Sequence, residues 1–174
     1  MADPFSDFVA RPDAETFHEL RAAIMATAEF DMFSDGLGRL QALVDAGAHQ
    51  QVLALVSGLM PNWLLNRRVH RLLQQSAAAR GEAERAAREG RIAMACALGL
   101  RSTGAGTSDA PFWPVHADDE YDLAKLLEKT VTGQRREDRN GRTMDVLTCA
   151  DGSELWFDVT DGIVAMAKRA AAEI

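Results

Sequence analysis

Cysteine is scarce in this chain of 174 residues: Cys96 and Cys149 are the only two, far apart and without metal-ligand spacing around either. That excludes a disulfide scaffold and suits reduced thiols in a cytoplasmic protein. Long apolar runs are also missing. The longest, residues 92–100, falls well short of the roughly 20 residues that a membrane helix needs. The start of the chain, with Asp3, Pro4 and Asp7, has no basic region leading into an apolar core, so a secretory signal is not expected. Excess positive charge is absent as well. The net charge of -7 disfavours non-specific binding to nucleic acid or to an anionic membrane surface.

What the chain does have is 47% hydrophobic residues, enough for a packed core in one domain or in two small ones sharing an interface. Its charge is unevenly spread. Residues 1–50 hold nine acids and three Arg, whereas 67–91 hold seven Arg and three Glu, so an acidic end precedes a basic middle.

The first half reads as consecutive helices. Asp13 is placed to cap a helix carrying Phe17, Leu20 and Ile24 on one stripe, and Ser34-Asp35 precedes Leu37, Leu40, Leu43 and Val44, with Gly47 suited to the left-handed closing position. Val52, Leu55, Val56 and Leu59 mark a third helix that Pro61 ends. A fourth is expected over 62–80, with Leu65, Val69, Leu72 and Leu73 inward and Arg67, Arg68 and Arg71 outward, and Gly81 turns the chain. The fifth, over 82–98, shows Ala83, Ala87, Gly90, Met94 and Ala97 on the side expected to meet a neighbouring helix, with Glu84/Arg88 and Arg85/Glu89 as wet-side pairs. Short connections between such helices imply an antiparallel hairpin stack.

The pattern then changes. Residues 102–108 contain two Gly and four hydroxyl residues, a loop composition that sets a boundary near 105, between a helical region 1–104 and a small α+β region 105–174. Phe112 to Val115 reads as a short strand, and Asp118 or Asp119 as the cap of a helix with Leu123, Leu126 and Leu127 inward. Segments 130–137, 142–149 and 154–160 alternate with period two. Asn140-Gly141 and Asp151-Gly152 between them supply hairpin turns, so a three-stranded antiparallel meander is expected. Met144 and Val146, with Leu155, Phe157 and Val159, are its apolar sets, and a last helix capped by Asp161 is expected to cover one face. The fold class is therefore α+β: helical hairpins of tetratricopeptide-like appearance packed with a three- to four-stranded antiparallel sheet and two helices.

Two stretches resemble the domain-of-unknown-function family 4919. One is Phe17, Leu20, Arg21, Ala22, Thr27 and Phe30; the other runs through Thr103, Gly104, Gly106, Ala110-Pro111, Val115, Glu120-Tyr121, Leu126, Gln134, Asp145-Val146-Leu147 and Leu155-Trp156-Phe157-Asp158. Residues 77–87 around Gly81 resemble the small-residue turn of a tetratricopeptide hairpin. The resemblance implies a helical-repeat half joined to a small α/β half. It implies no reaction.

His116, Asp118, Asp119, Glu120 and Tyr121 form the densest titratable cluster. One reading makes Asp119 or Glu120 a general base or metal ligand beside His116, in a small-ligand binder or hydrolase-type enzyme. The simpler reading has an aspartate capping the helix, Glu120 pairing with an early backbone amide and Tyr121 packing on the sheet. The four histidines show no metal-ligand spacing, and the Gly/Ser/Thr loop lacks the Gly-Lys-Ser/Thr ending of a phosphate cradle. No catalytic residue, metal ligand or cofactor is therefore assigned.

Trp113 and Trp156 are core or platform, and because Trp156 and Phe157 are adjacent on a strand they face opposite sides, so a second layer or a partner must cover Trp156. Arg67, Arg68, His70 and Arg71, with Arg80, Arg85, Arg88 and Arg91 beyond, form the best binding surface, for the chain's own acidic half or an acidic protein partner. RNA binding through this Arg67 to Arg91 face is a further reading, though it would want aromatic or amide readers among the arginines and a more basic domain. The sequence thus points to a non-enzymatic bacterial protein-interaction module. An immunity protein that neutralises a toxin by binding is one role that its size and acidity suit.

Overall fold

The computed structural model describes residues 3–172 of the chain, and within them the order is α1 Pro4–Ala10, α2 Ala14–Met25, α3 Gly36–Asp45, α4 His49–Leu59, α5 Arg67–Ala79, α6 Ala83–Ser102, α7 Ala117–Leu126, β1 Val131–Arg139, β2 Arg142–Cys149, β3 Glu154–Asp158 and α8 Thr160–Ala172. This is the α+β arrangement expected, helical hairpins followed by an antiparallel sheet of order β1-β2-β3.

Local chemistry explains most boundaries. Asp3 caps α1 by accepting from Ser6 N, with Pro4 in the first helical position, and Asp13 caps α2 by accepting from Thr16 N at 3.0 Å. The helix expected over 62–80 starts later. Residues 61–65 form a turn, and Asn66 is the N-cap, accepting from Val69 N at 2.9 Å. Gly81, at φ +76°, closes α5 and hands the chain to α6.

Two large hydrophobic clusters, and a small one on the sheet, hold the described residues together. One joins α3, α4 and α5 through Leu40, Val52, Trp63 and Val69. The larger draws Phe8 and Phe17 together with Ile92 and Cys96 from α6, Leu123 from α7, and Leu147 and Phe157 from the sheet. It therefore takes side chains from both sides of the 102–108 loop.

Several face assignments need correction, and Leu126 of α7 is one: expected inward with Leu123, it is 40% exposed, since only one side of this short helix is packed. On α6 the buried side is Ala86, Glu89, Ala93, Cys96 and Gly99, while Ala83, Ala87 and Met94 are exposed. Alanine-rich helices carry weak apolar periodicity, and here the buried stripe lies one position away from the one that the periodicity predicts. Gly99 has no room for a side chain, since a Cβ would come within 2.6 Å of Phe8 and 2.8 Å of Phe17. Glu89 does not pair with Arg85 on the wet side but with His70 inside.

In the sheet, Val146 lies opposite Trp156 and Leu147 opposite Leu155. Met144 and Val146 thus share a face with Trp156, against the grouping with Leu155, Phe157 and Val159, and both faces of β2 are buried. Trp156 is covered by the chain itself, with the Arg135 and Arg139 guanidiniums 5.5 and 5.6 Å from its ring centre. The strand expected over 112–115 contracts to a single bridge, Phe112 with Phe157.

Candidate functional site

The structure separates the sequence-derived candidates into a sealed seam and an open groove. The seam is built on the turn that leads into α5. The Asn62 amide exchanges hydrogen bonds with the Asp31 backbone, accepting at 3.1 Å and donating at 3.2 Å, and its Oδ1 lies 3.3 Å from His116 Nε2. Because Asn62 presents an acceptor, His116 carries its proton on Nε2. Its ring lies flat on the Trp63 indole, with centroids 4.1 Å apart and an interplanar angle of 4°.

Asp119, at the third position of α7, accepts from Val115 N at 3.0 Å and His116 N at 2.8 Å through Oδ2, and from Asn66 Nδ2 at 2.7 Å through Oδ1. The N-cap residue is His116, so Asp119 closes the helix start from inside its first turn. Burial pushes its carboxyl up to about 7, against these three donors. Burial also holds His116 down at about 3, so the ring is neutral. Its Nδ1 has no partner and sits 3.9 Å from Asp119 Oδ2.

Glu120 does not meet a backbone amide. It is fully buried against β2, beside Asp145, and accepts weakly from Gln134 Nε2 at 3.4 Å through Oε2. Burial, together with the charge and hydrogen bonding of Asp145, raises it to about 9. Protonated, Glu120 interacts favourably with the neighbouring Asp145 side chain instead of repelling it, which also lowers the cost of burying Oε1, an atom with no hydrogen-bond partner of its own. Arg136 grips Asp145 with two nitrogens, Nε donating to Oδ1 and Nη2 to Oδ2, each at 2.8 Å. Tyr121 is exposed at the sheet's edge, where its hydroxyl donates to Gln134 Oε1 at 2.7 Å.

His116, Asp119, Glu120 and Tyr121 therefore do not converge on one cleft. Each is committed to a different contact, and three of the four are buried. The neighbouring Gly/Ser/Thr loop is committed too: the amides of Ala105, Gly106 and Thr107 all donate to the Ala110 carbonyl, at 2.8, 2.9 and 3.3 Å. Amides turned onto the chain's own carbonyl are not displayed to a phosphate. Trp113 is half-buried between the Arg21 and Arg142 guanidiniums, 5.6 and 5.0 Å from its ring centre, and Arg142 is in turn paired with Asp158.

The open feature lies on the other side of α7. Arg67, Arg68 and Arg71 line a groove of about 730 Å³ together with Gln74, Gln75 and Ala78 of α5, Gln41 of α3, and Asp122, Lys125 and Leu126 of α7. Arg67 is neutralised by Asp122 through contacts of 2.8 and 3.1 Å, so the pairing foreseen with the acidic N-terminal half goes instead to α7. Arg71 donates to Gln74 at 2.7 Å. Among the described residues, Arg68 and Lys125 have no carboxylate partner.

Sequence reasoning missed Asn62, Asn66 and Trp63 in the seam, and Asp122, Lys125 and the three glutamines in the groove. Only Asn66 carried a local signal, an asparagine one position before a helix. The rest are assembled by contacts between distant parts of the chain. Neither a family model, nor a curated protein, nor a solved structure matches this chain.

Proposed function

We propose that the chain is a non-enzymatic protein-interaction module whose contact surface is the α5 face bordering α7. The observation that carries this reading is the division just described: the titratable cluster is used up inside the fold, while Arg68 and Lys125 stand without a carboxylate partner in an open groove. Helical hairpins suit such a role because their outer faces present side chains from several elements on one rigid surface. The resemblance to family 4919 implies the same kind of molecule, one with no reaction attached. A toxin held inactive by binding is one partner of this class, and the acidic character and small size of the chain support it.

The test is capture in cells with a photo-crosslinking residue placed at Gln75, compared with the same position in an Arg68→Glu/Arg71→Glu background, together with rescue from the product of the adjacent gene. A crosslinked partner that disappears in the double variant is the expected result. Crosslinks unchanged by the double variant, with no rescue, would remove the proposal.

A further inference from the structure

The groove has a chemistry of its own that narrows what it takes. We infer that it receives a short acidic segment of a protein partner, with carboxylates facing Arg68, Arg71 and Lys125 and an apolar side chain seated on Leu126 and Ala78. This rests on the reading of the chain as an interaction module and names the ligand class of that surface.

Three observations carry it. The first is charge. Once Arg67 and Asp122 cancel, Arg68, Arg71 and Lys125 remain as three cations around one groove in a protein of net charge -7. Cations held close together without counter-charge repel one another, and an incoming carboxylate relieves that repulsion. The second is spacing. Arg68, Arg71, Gln75 and Ala78 recur along one side of α5, and Asp122, Lys125 and Leu126 face them from α7. Two helical edges with an exposed Leu126 between them form a trough for an elongated chain segment. The third is the makeup of the lining. Gln75 offers an amide that both donates and accepts, as a peptide backbone requires, while Gln41, whose amide nitrogen donates to Asp45, keeps its oxygen as an acceptor, and Gln74, whose oxygen accepts from Arg71, keeps its amide nitrogen as a donor.

The same lining disfavours RNA. No aromatic side chain borders the groove, so bases have nothing to stack on. The overall negative charge also repels a long polyanion more than it repels a short acidic segment with a few local contacts.

The experiment uses the full chain and fluorescence anisotropy with three labelled probes: a peptide of glutamates with leucine at every fourth position, the same peptide with glutamine for glutamate, and an oligouridylate. The glutamate peptide is expected to bind, with affinity falling as salt rises. Arg68→Glu/Arg71→Glu should weaken it by about tenfold or more, Lys125→Glu should weaken it severalfold, and Arg101→Glu, exposed on α6 and outside the groove, should leave it unchanged. Arg68→Lys/Arg71→Lys keeps the charge and should retain most of the binding, which separates loss of contact from loss of fold. Failure of the glutamate peptide to bind would overturn the inference. So would equal binding of the glutamine peptide, indifference to the double charge reversal, or tighter binding of oligouridylate. If the cellular crosslink at Gln75 still depends on Arg68 and Arg71 while the glutamate peptide does not bind, the interaction module stands and the acidic ligand falls.

Discussion

Asn66 starts one helix and locks the start of another. Its Oδ1 accepts from Val69 N at 2.9 Å and caps α5, while its Nδ2 donates at 2.7 Å to Asp119, whose other oxygen caps α7. The two caps are 53 positions apart in sequence. Through this one amide, the groove wall formed by α5 is fixed against the wall formed by α7.

Removing that amide should cost more than an ordinary cap. Asn66→Ala deletes the α5 cap and leaves the buried Asp119 Oδ1 without its donor, so a loss of about 2–3 kcal/mol is expected. Asn66→Asp preserves the cap but sets a second carboxylate against Asp119, and should be at least as damaging near neutral pH. Urea unfolding of the two variants checks this; an Asn66→Ala protein as stable as the parent would show the link to be unimportant.

Glu120 makes stability depend on pH in a direction unusual for a carboxylate. Its folded value is raised from 4.5 to about 9, so its contribution is complete below the ordinary glutamate range and is lost as pH rises through about 9. Between those limits the fall approaches about 1.4 kcal/mol per pH unit. Glu120→Gln keeps a donor toward Asp145 with nothing to ionise. The variant should gain on the parent steadily as pH climbs across that window. Parallel stability curves for the two proteins would mean that Glu120 is charged in the fold.

The parts of this architecture that were legible in the sequence are those set by neighbours in the chain. Asn140 and Gly141 in the first hairpin turn and Gly152 in the second adopt positive φ, and Gly47 and Gly81 close their helices. What was not legible depends on contacts between distant segments. The stripe on α6 could not be phased because alanine fits either side of a helix. The faces of β2 could not be divided because both are covered, which erases the alternation that marks a half-exposed strand. α1 is only seven residues long, too short for a periodic pattern to stand out, although Asp3-Pro4 begins it conventionally. In the candidate site, Arg67, Arg68 and Arg71 were found from their charge, but their division into one paired and two available cations rests on Asp122 and Gln74.

His116 should oppose Glu120 on the acid side. Burial depresses it from 6.5 to about 3, so its contribution is present above the ordinary histidine range and is lost as pH falls toward about 3. Where the windows overlap, between about pH 4.5 and about 6.5, the His116 slope opposes that of Glu120 and that of Asp119, itself raised to about 7, and so reduces the parent's fall in stability. His116→Phe keeps an aromatic ring on Trp63 and removes the titrating nitrogen. Relative to the parent, it should become more stable as pH drops through that range, and imidazole NMR should show no titration of His116 down to about pH 4. A His116 resonance moving with a midpoint near 6.5 would contradict the sealed seam.

The 102–108 loop offers a paired test, because two of the chain's glycines have opposite surroundings. A Cβ on Gly104 would lie 2.1 Å from the Pro111 carbonyl oxygen and 2.7 Å from that of Ala110, both backbone atoms that cannot rotate away. The segment is also tied down beyond it: Trp113 N donates to Thr103 Oγ1 at 3.0 Å, and Trp156 N to the Gly106 carbonyl at 3.1 Å, so displacing the loop also uncovers the edge of β3. Gly38 in α3 has nothing within 4 Å of the same position. Gly104→Ala should therefore cost about 2–4 kcal/mol, whereas Gly38→Ala should stabilise by about 0.5–1 kcal/mol through the lower entropy of its unfolded chain. Thermal and urea unfolding of both variants measures the contrast. If Gly104→Ala proves as benign as Gly38→Ala, the loop is not closed onto the 110–111 carbonyls, and its amides become free to meet a ligand after all.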